Sequence, residues 1–317
     1  MDDIGLDAAR ELVRRAIDKA EQLGSSGAIA VVGASGALVT SSRMDEGGAG
    51  GMGRARSKAW IAATQKIPST EHLHRMTSIA APVAAGFAAI SPEAAFPGAG
   101  GMPIRDESGR IIGGIAASGS TVSPFFPAGM GHALTMVDGQ PANPEDQVIA
   151  YALGIPYVGQ HGDDRPRWEA AYGAFPDGSF DDAPTPRGAT EQAVLDRCRR
   201  LADAVLTLAE ERNLPVAVAV TDRRGEPVQQ DALDVAPAAA AYVAEAIAAT
   251  SALFGSASGD VADRVEAVRH VLPVPVAGLD GGVPVLDDGR VWAGLGVAGP
   301  TPAQAHDLAV AALMTTA

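Results

Sequence analysis

The stretch RMDEGGAGGMGRARSKAW, residues 43–60, sets two cations, Arg43 and Lys58, and one carboxylate, Asp45, around a glycine-rich turn. Two cations so placed can hold a carboxylate or phosphate through charge-assisted hydrogen bonds. Asp45 can orient either cation, or act as an acid or base once desolvated. The competing reading is an ordinary surface ion pair, worth about 0–1 kcal/mol. Arg43, Asp45 and Lys58 are therefore candidate ligand-binding and catalytic residues. The GAGGMG within the stretch (Gly48–Gly53) spells a dinucleotide loop. Such a loop needs a parallel strand–helix–strand unit, and the strand before it here belongs to a hairpin.

Further along, Gly100-Gly101-Met102-Pro103 makes a corner whose backbone N–H groups can face a ligand, with a structural turn as the alternative. After Ser118-Gly119 comes an apolar insert, about 120–147, carrying Phe125, Phe126 and His132. A loop of this length and composition reads as a lid, a flat-ligand wall or an oligomer contact. Among six histidines, His72 and His74 are spaced i, i+2, which suits no helical metal pair, and no metal site is expected. His132 is the candidate axial ligand should haem bind.

The elements that must position these residues come from a duplication. Residues from Leu12 (LVRRAIDKAEQLG…) and from Leu201 (LADAVLTLAEERN…) align without a gap at an offset of 189, which is 201 − 12. Each copy opens with an apolar stripe at helical spacing, followed by a hairpin and a small-residue helix, KAWIAAT or EAIAAT. GGMPIRDESGRIIGGIAASG (100–119) then matches GGVPVLDDGRVWAGLGVAG (281–299), a second hairpin, and a helix closes each copy. Strands joined by tight turns are antiparallel, so the expected fold is α+β. The expected domains are 1–157 and 189–317. Between them, 158–188 holds Trp168, Tyr172, Phe175 and Phe180, an aromatic, acidic arm suited to docking rather than to solvent.

The second copy lacks most of the polar set. Ala232 stands for Arg43, Leu233 for Met44, Ala298 for Ser118, and Ala244 or Glu245 for Lys58, depending on where the shorter 231–241 loop is gapped. Only Asp234 answers, for Asp45. One working site in the first copy is the simplest expectation.

Composition narrows the partners. A net charge of −14 argues against nucleic acid and against anionic membrane surfaces. One cysteine, Cys198, excludes an internal disulfide framework and reads as a buried thiol on a helix stripe. With no basic and apolar leader and no run of about 18 apolar residues, a cytoplasmic location is expected.

Arg43-Met44-Asp45, Lys58-Ala59 with Ala62, Gly100-Gly101-Met102-Pro103, and Gly109 through Ser118-Gly119 together resemble the GlcG/HbpS family of haem-binding-like proteins. The resemblance covers most of 6–157 and, more weakly, 190–315. It implies two tandem profilin-like or PAS-like domains, each a five-stranded, mostly antiparallel sheet flanked by helices, assembled as a homo-oligomer. It also implies haem or another tetrapyrrole as the candidate cofactor. The leading expectation is binding of a small anionic, haem-like or aromatic ligand by Arg43, Lys58, Gly100, Gly101, Ser118, Phe125, Phe126 and His132. The alternatives are an enzyme using Arg43 and Lys58 for charge stabilisation with Asp45 as acid or base, and an oligomeric assembly protein.

Overall fold

The computed structural model describes residues 3–90, 95–96, 98–119, 135–137, 140–142, 144–156 and 192–316. The 158–188 arm and Phe125, Phe126 and His132 of the insert lie outside them. In chain order the first copy forms α1 (Leu6–Gln22), β1 (Ala28–Gly33), β2 (Leu38–Arg43) and α2 (Gly51–Gln65). It continues with α3 (Ser69–Thr77), α4 (Ala81–Ile90), β3 (Gly101–Arg105) and β4 (Ile111–Ser118). A ribbon follows, β5 (Thr135–Val137) and β6 (Gln140–Ala142), and then α5 (Pro144–Leu153). The second copy forms α6 (Ala193–Glu211), β7 (Ala217–Asp222), β8 (Pro227–Ala232) and α7 (Ala240–Phe254). A short 3-10 turn (Gly259–Val261), α8 (Ala262–Val268), β9 (Gly282–Asp287), β10 (Arg290–Ala298) and α9 (Pro302–Thr316) complete it.

The class is α+β, and every strand pairing given by register is antiparallel. Each copy supplies four main-sheet strands among the described residues, where five had been expected. The cores follow the sequence stripes: Ala9, Val13, Ala16 and Ile17 of α1, and Leu195, Cys198, Ala202 and Val205 of α6, are buried. Burial pushes the Cys198 thiol up to about 12, so it stays protonated and unreactive.

The chain forms two compact units. The first comprises Met1–Ile4, Ala8–Ala37 and Glu46–Glu191; the second comprises Gly5–Asp7, Leu38–Asp45 and Gln192–Ala317. In the first, the strands run β3-β4-β1 and α2 lies across them. The helix approaches closely because Gly114 on β4 has no side chain: a Cβ there would collide with the Ala59 carbonyl. Gly294 on β10 plays the same part under Ala248 of α7. Small residues on both surfaces replace the aromatic bulk that this sequence lacks.

In the second unit the order is β2-β8-β7-β10-β9. Its β2–β8 pairing sets Thr40 opposite Asp231, Ser41 opposite Gln230 and Ser42 opposite Gln229, all buried. Buried polar groups require partners, and these find them across the ladder. Thr40 Oγ1 donates to Asp231 Oδ1 at 2.8 Å, Ser41 Oγ to Gln230 Oε1 at 3.0 Å and Ser42 Oγ to Gln229 Oε1 at 2.6 Å. Gln230 Nε2 donates onward to Glu245 Oε2 on α7 at 3.0 Å.

This unit also explains the paired aspartates. Asp45 accepts the backbone N–H groups of Val194 (2.9 Å) and Leu195 (2.8 Å), in the first turn of α6. Asp234 accepts the N–H of Leu6, the first residue of α1, at 2.9 Å. Each aspartate satisfies orphan donors at the start of the other copy's opening helix and meets its positive dipole end. Asp45→Ala and Asp234→Ala should each cost about 0.5–2 kcal/mol. Urea unfolding of the full chain measures this, with Asp234→Asn, which keeps the one accepting oxygen used there, recovering most of its loss.

Candidate functional site

Helix α2 carries the cations. Gly48–Gly53 is its leading turn: the N-cap Gly50 has φ 73°, and the Gly51 N–H returns to the Gly48 carbonyl at 3.1 Å. α2 and α7 are both fifteen residues, and their bounds keep the offset of 189 (240 − 51 and 254 − 65). The second copy's loop is therefore not shorter, and the counterpart of Lys58 is Ile247 rather than Ala244 or Glu245.

Lys58 is buried, with its side chain 2% exposed. Its Nζ donates to the Ala99 carbonyl at 2.7 Å, the Ala117 carbonyl at 3.0 Å and Glu145 Oε2 at 2.6 Å. An ammonium has three donors, so Lys58 has none left for a ligand. Glu145 Oε1 accepts the Gly119 N–H at 3.0 Å, Asp146 Oδ1 accepts that of Gly100 at 2.7 Å, and Ser69 Oγ accepts that of Gly101 at 2.9 Å. Both N–H groups of the Gly100–Gly101 corner are thus bonded to side chains of the first unit. Gly100 has φ 94°, and a Cβ there would lie 2.6 Å from the Glu145 Cβ. In the second copy a Cβ on Gly281 would meet Ala305 and Ile247, each at 3.1 Å. Ile247 and Ala305 thus fill the places of Lys58 and Glu145. Ser118 is buried at the end of β4, paired in register with Ala28.

Arg43 and Asp45 have partners of their own. Both belong to the second unit, and Lys58 belongs to the first. Arg43 donates from Nη2 to Asp222 Oδ2 at 2.7 Å and from Nε to the Pro227 carbonyl at 3.0 Å, with 12% of its side chain exposed. Both oxygens of Asp45 are taken by the α6 cap. Within the second unit both side chains are thus engaged by these partners.

Two residues that sequence reasoning passed over stand out in the first unit. Arg54, one turn before Lys58, is half-buried, and its guanidinium makes no hydrogen bond or ion pair among the described residues. It lies beside Gly50 and Gly119: Cβ atoms built there fall 3.3 Å and 3.7 Å from its Nη atoms. His72 on α3 is 3% exposed, with its ring against Phe87 of α4 at a centroid distance of 5.2 Å. Burial, and secondarily the nearby Arg75 charge, hold its pKa below the ordinary 6.5. At the unbroken offset of 189 their counterparts are Val243 and Val261. An ungapped alignment through the 231–241 loop was the signal that could have found both. Among the described residues no group of three or more His, Cys, Asp or Glu side chains is placed to hold a metal ion.

A family model described as haem degrading protein HbpS-like matches residues 4–123 and again 194–314. The chain belongs to this family. No curated protein matches it. Among solved structures, it is similar to the Klebsiella pneumoniae protein ORFY at 23% identity, TM-score 0.36, over 38% of this chain and 88% of that one. It is likewise similar to a doubly substituted HbpS of Streptomyces reticuli (26%, 0.35, 42% and 98%). A PduOC–haem complex matches at 23% and 0.35, over 38% and 91%. Among the described residues no single helix is long and apolar enough to cross a membrane.

Two outcomes follow. Lys58→Ile alone strands the buried Glu145 carboxylate and should cost about 3–5 kcal/mol, whereas Lys58→Ile with Glu145→Ala, the second copy's own solution, should recover at least half; urea midpoints decide. The lowered pKa of His72 means that the unfolded chain takes up the proton more readily than the folded one. Its contribution is complete above about pH 6.5 and is lost as pH falls through the folded value, so wild type should lose more stability than His72→Val between about pH 7 and about pH 5.

Proposed function

We propose that the first copy binds a small, flat, anionic ligand of the haem-like or aromatic class, and that the second copy is its structural scaffold. The observation that carries this reading is an asymmetry at matching positions. Arg54, Lys58, His72 and Glu145 of the first copy stand where the second has Val243, Ile247, Val261 and Ala305. The second copy folds with aliphatic residues there, so the first accepts the desolvation cost of buried polar groups that the fold does not demand. The family's description as haem degrading supports the class of ligand.

In this reading Lys58 and Glu145 order the corner without touching the ligand, and Arg54 replaces Arg43 as the cation for its anionic group. The insert is taken as part of the same site; the Gly119 N–H that precedes it donates to Glu145 Oε1 at 3.0 Å. Phe125, Phe126 and His132 remain its proposed ligand-facing side chains. The enzyme alternative depended on Asp45 as a free acid or base, a role its capping bonds do not favour. Assembly as a homo-oligomer stays part of the proposal.

The test is native mass spectrometry of the purified full chain, followed by titration with ferric protoporphyrin IX. One equivalent per chain is expected, and Arg54→Val should weaken binding about tenfold or more, as loss of a charge-assisted hydrogen bond does. Two equivalents per chain would overturn the one-site reading. An empty native mass together with no binding would overturn the function.

A further inference from the structure

The last turn of α5 meets α1 at an exposed ring. Tyr151 is 44% exposed, and two cations one turn apart on α1 lie near it. The Arg15 guanidinium is 5.8 Å and the Lys19 ammonium 5.4 Å from the ring centroid. Arg15 Nη2 also donates to the Tyr151 carbonyl at 2.9 Å. Neither cation forms an ion pair among the described residues, in a chain with 38 acidic residues against 24 basic ones. α5 closes at Gly154, φ 66°, where the Ile155 N–H returns to the Ala150 carbonyl at 3.1 Å. Ile155 adds an apolar side chain at the helix end and is 46% exposed.

The second copy has none of these groups. At the offset of 189, Ala204 and Leu208 stand for Arg15 and Lys19. On α9, where Ala305 fills the place of Glu145 (an offset of 305 − 145 = 160), Ala311 stands for Tyr151. Helices α6 and α9 pack on each other all the same, so the fold demands neither the cations nor the ring. The stretch beyond the first copy supplies the complement. Residues 168–186, WEAAYGAFPDGSFDDAPTP, hold four aromatic and four acidic residues and no basic one. They begin 12 residues past Pro156 (168 − 156), within about 40 Å of the helix end however the chain runs. A separate anionic partner would be repelled by the net charge of −14, whereas a tethered segment is held at an effective concentration on the order of mM.

We propose that residues 168–186 dock in cis on the α1–α5 face, their carboxylates against Arg15 and Lys19 and their rings against Tyr151 and Ile155. Charge-assisted hydrogen bonds to the two cations fix the segment. The rings leave water for an aromatic and an aliphatic surface. This docking does not depend on the ligand proposed above.

The test is chymotrypsin cleavage of the full chain after Tyr172, followed by mass spectrometry. Cleavage of a docked segment tracks the fraction that has come off the surface. Lys19→Glu should speed the cut about tenfold or more over wild type. Asp177→Asn, Asp181→Asn and Asp182→Asn together, which leave α1 and α5 untouched, should do the same. About 0.5 M NaCl should bring the wild-type rate towards that of the variants and change theirs little. Circular dichroism checks that Lys19→Glu is folded. A wild-type cut as fast as in the variants overturns the docking. A cut that stays slow in either variant overturns the α1–α5 face as its place. Protection that is lost on dilution means a segment docked on a second copy, and overturns the cis assignment.

Discussion

Helix α2 can bring its charged side chains to the end of β4 only because that strand offers no side chain at Gly114, so that the helix backbone rests on the sheet. Much of the first unit follows from that contact. At this distance the helix face must be small, which accounts for its buried alanines. Lys58 is the one charged side chain buried in that helix. It reaches the carbonyls of Ala99 and Ala117 and the carboxylate of Glu145. The same approach in the second copy, under Gly294, ends on Ile247 and needs no such partners. Identical backbone packing thus serves both a charged corner and an apolar one.

The sequence made the duplication, the antiparallel hairpins and the core stripes legible, because each rests on local periodicity. Stripes such as Ala9-Val13-Ala16 and Leu195-Cys198-Ala202 are buried as spaced. The polar positions were harder. Arg43, Asp45 and Lys58 are near in sequence, but proximity along the chain says nothing about where a long side chain finds its partner. Two of the three are satisfied by residues about 150 to 180 positions away. The seam between Thr40-Ser41-Ser42 and Gln229-Gln230-Asp231 was unreadable for the same reason: alternation shows which side chains share a face, not which strand lies alongside. His72 escaped notice because it was judged against metal spacing, where it fails, and not against its counterpart, where Val261 gives it away.

The aspartate shared by the two copies shows how a repeated residue can mislead. In sequence, Asp45 groups with Arg43 and Lys58 as a candidate site residue, although the second copy keeps it as Asp234. Its geometry is that of a helix cap in each case, with Asp45 serving α6 and Asp234 serving α1. What two copies share is better evidence for folding, and what they do not share is better evidence for function. By that rule Arg54, Lys58, His72 and Glu145 rank above Asp45.

The passage of Leu38–Asp45 into the second compact unit bears on where this polypeptide can be divided. The arm at 158–188 is where the repeat would suggest a cut. A fragment starting beyond it would lose β2, and β8 would become an open edge with unpaired N–H and C=O groups. Gln229, Gln230 and Asp231 would lose their cross-strand partners at the same stroke. Bare edges recruit other strands, so such a piece should self-associate instead of standing as a monomeric domain. The second unit takes Gly5–Asp7 and Leu38–Asp45 from the first repeat, so a cut between the repeats is not a cut between the units.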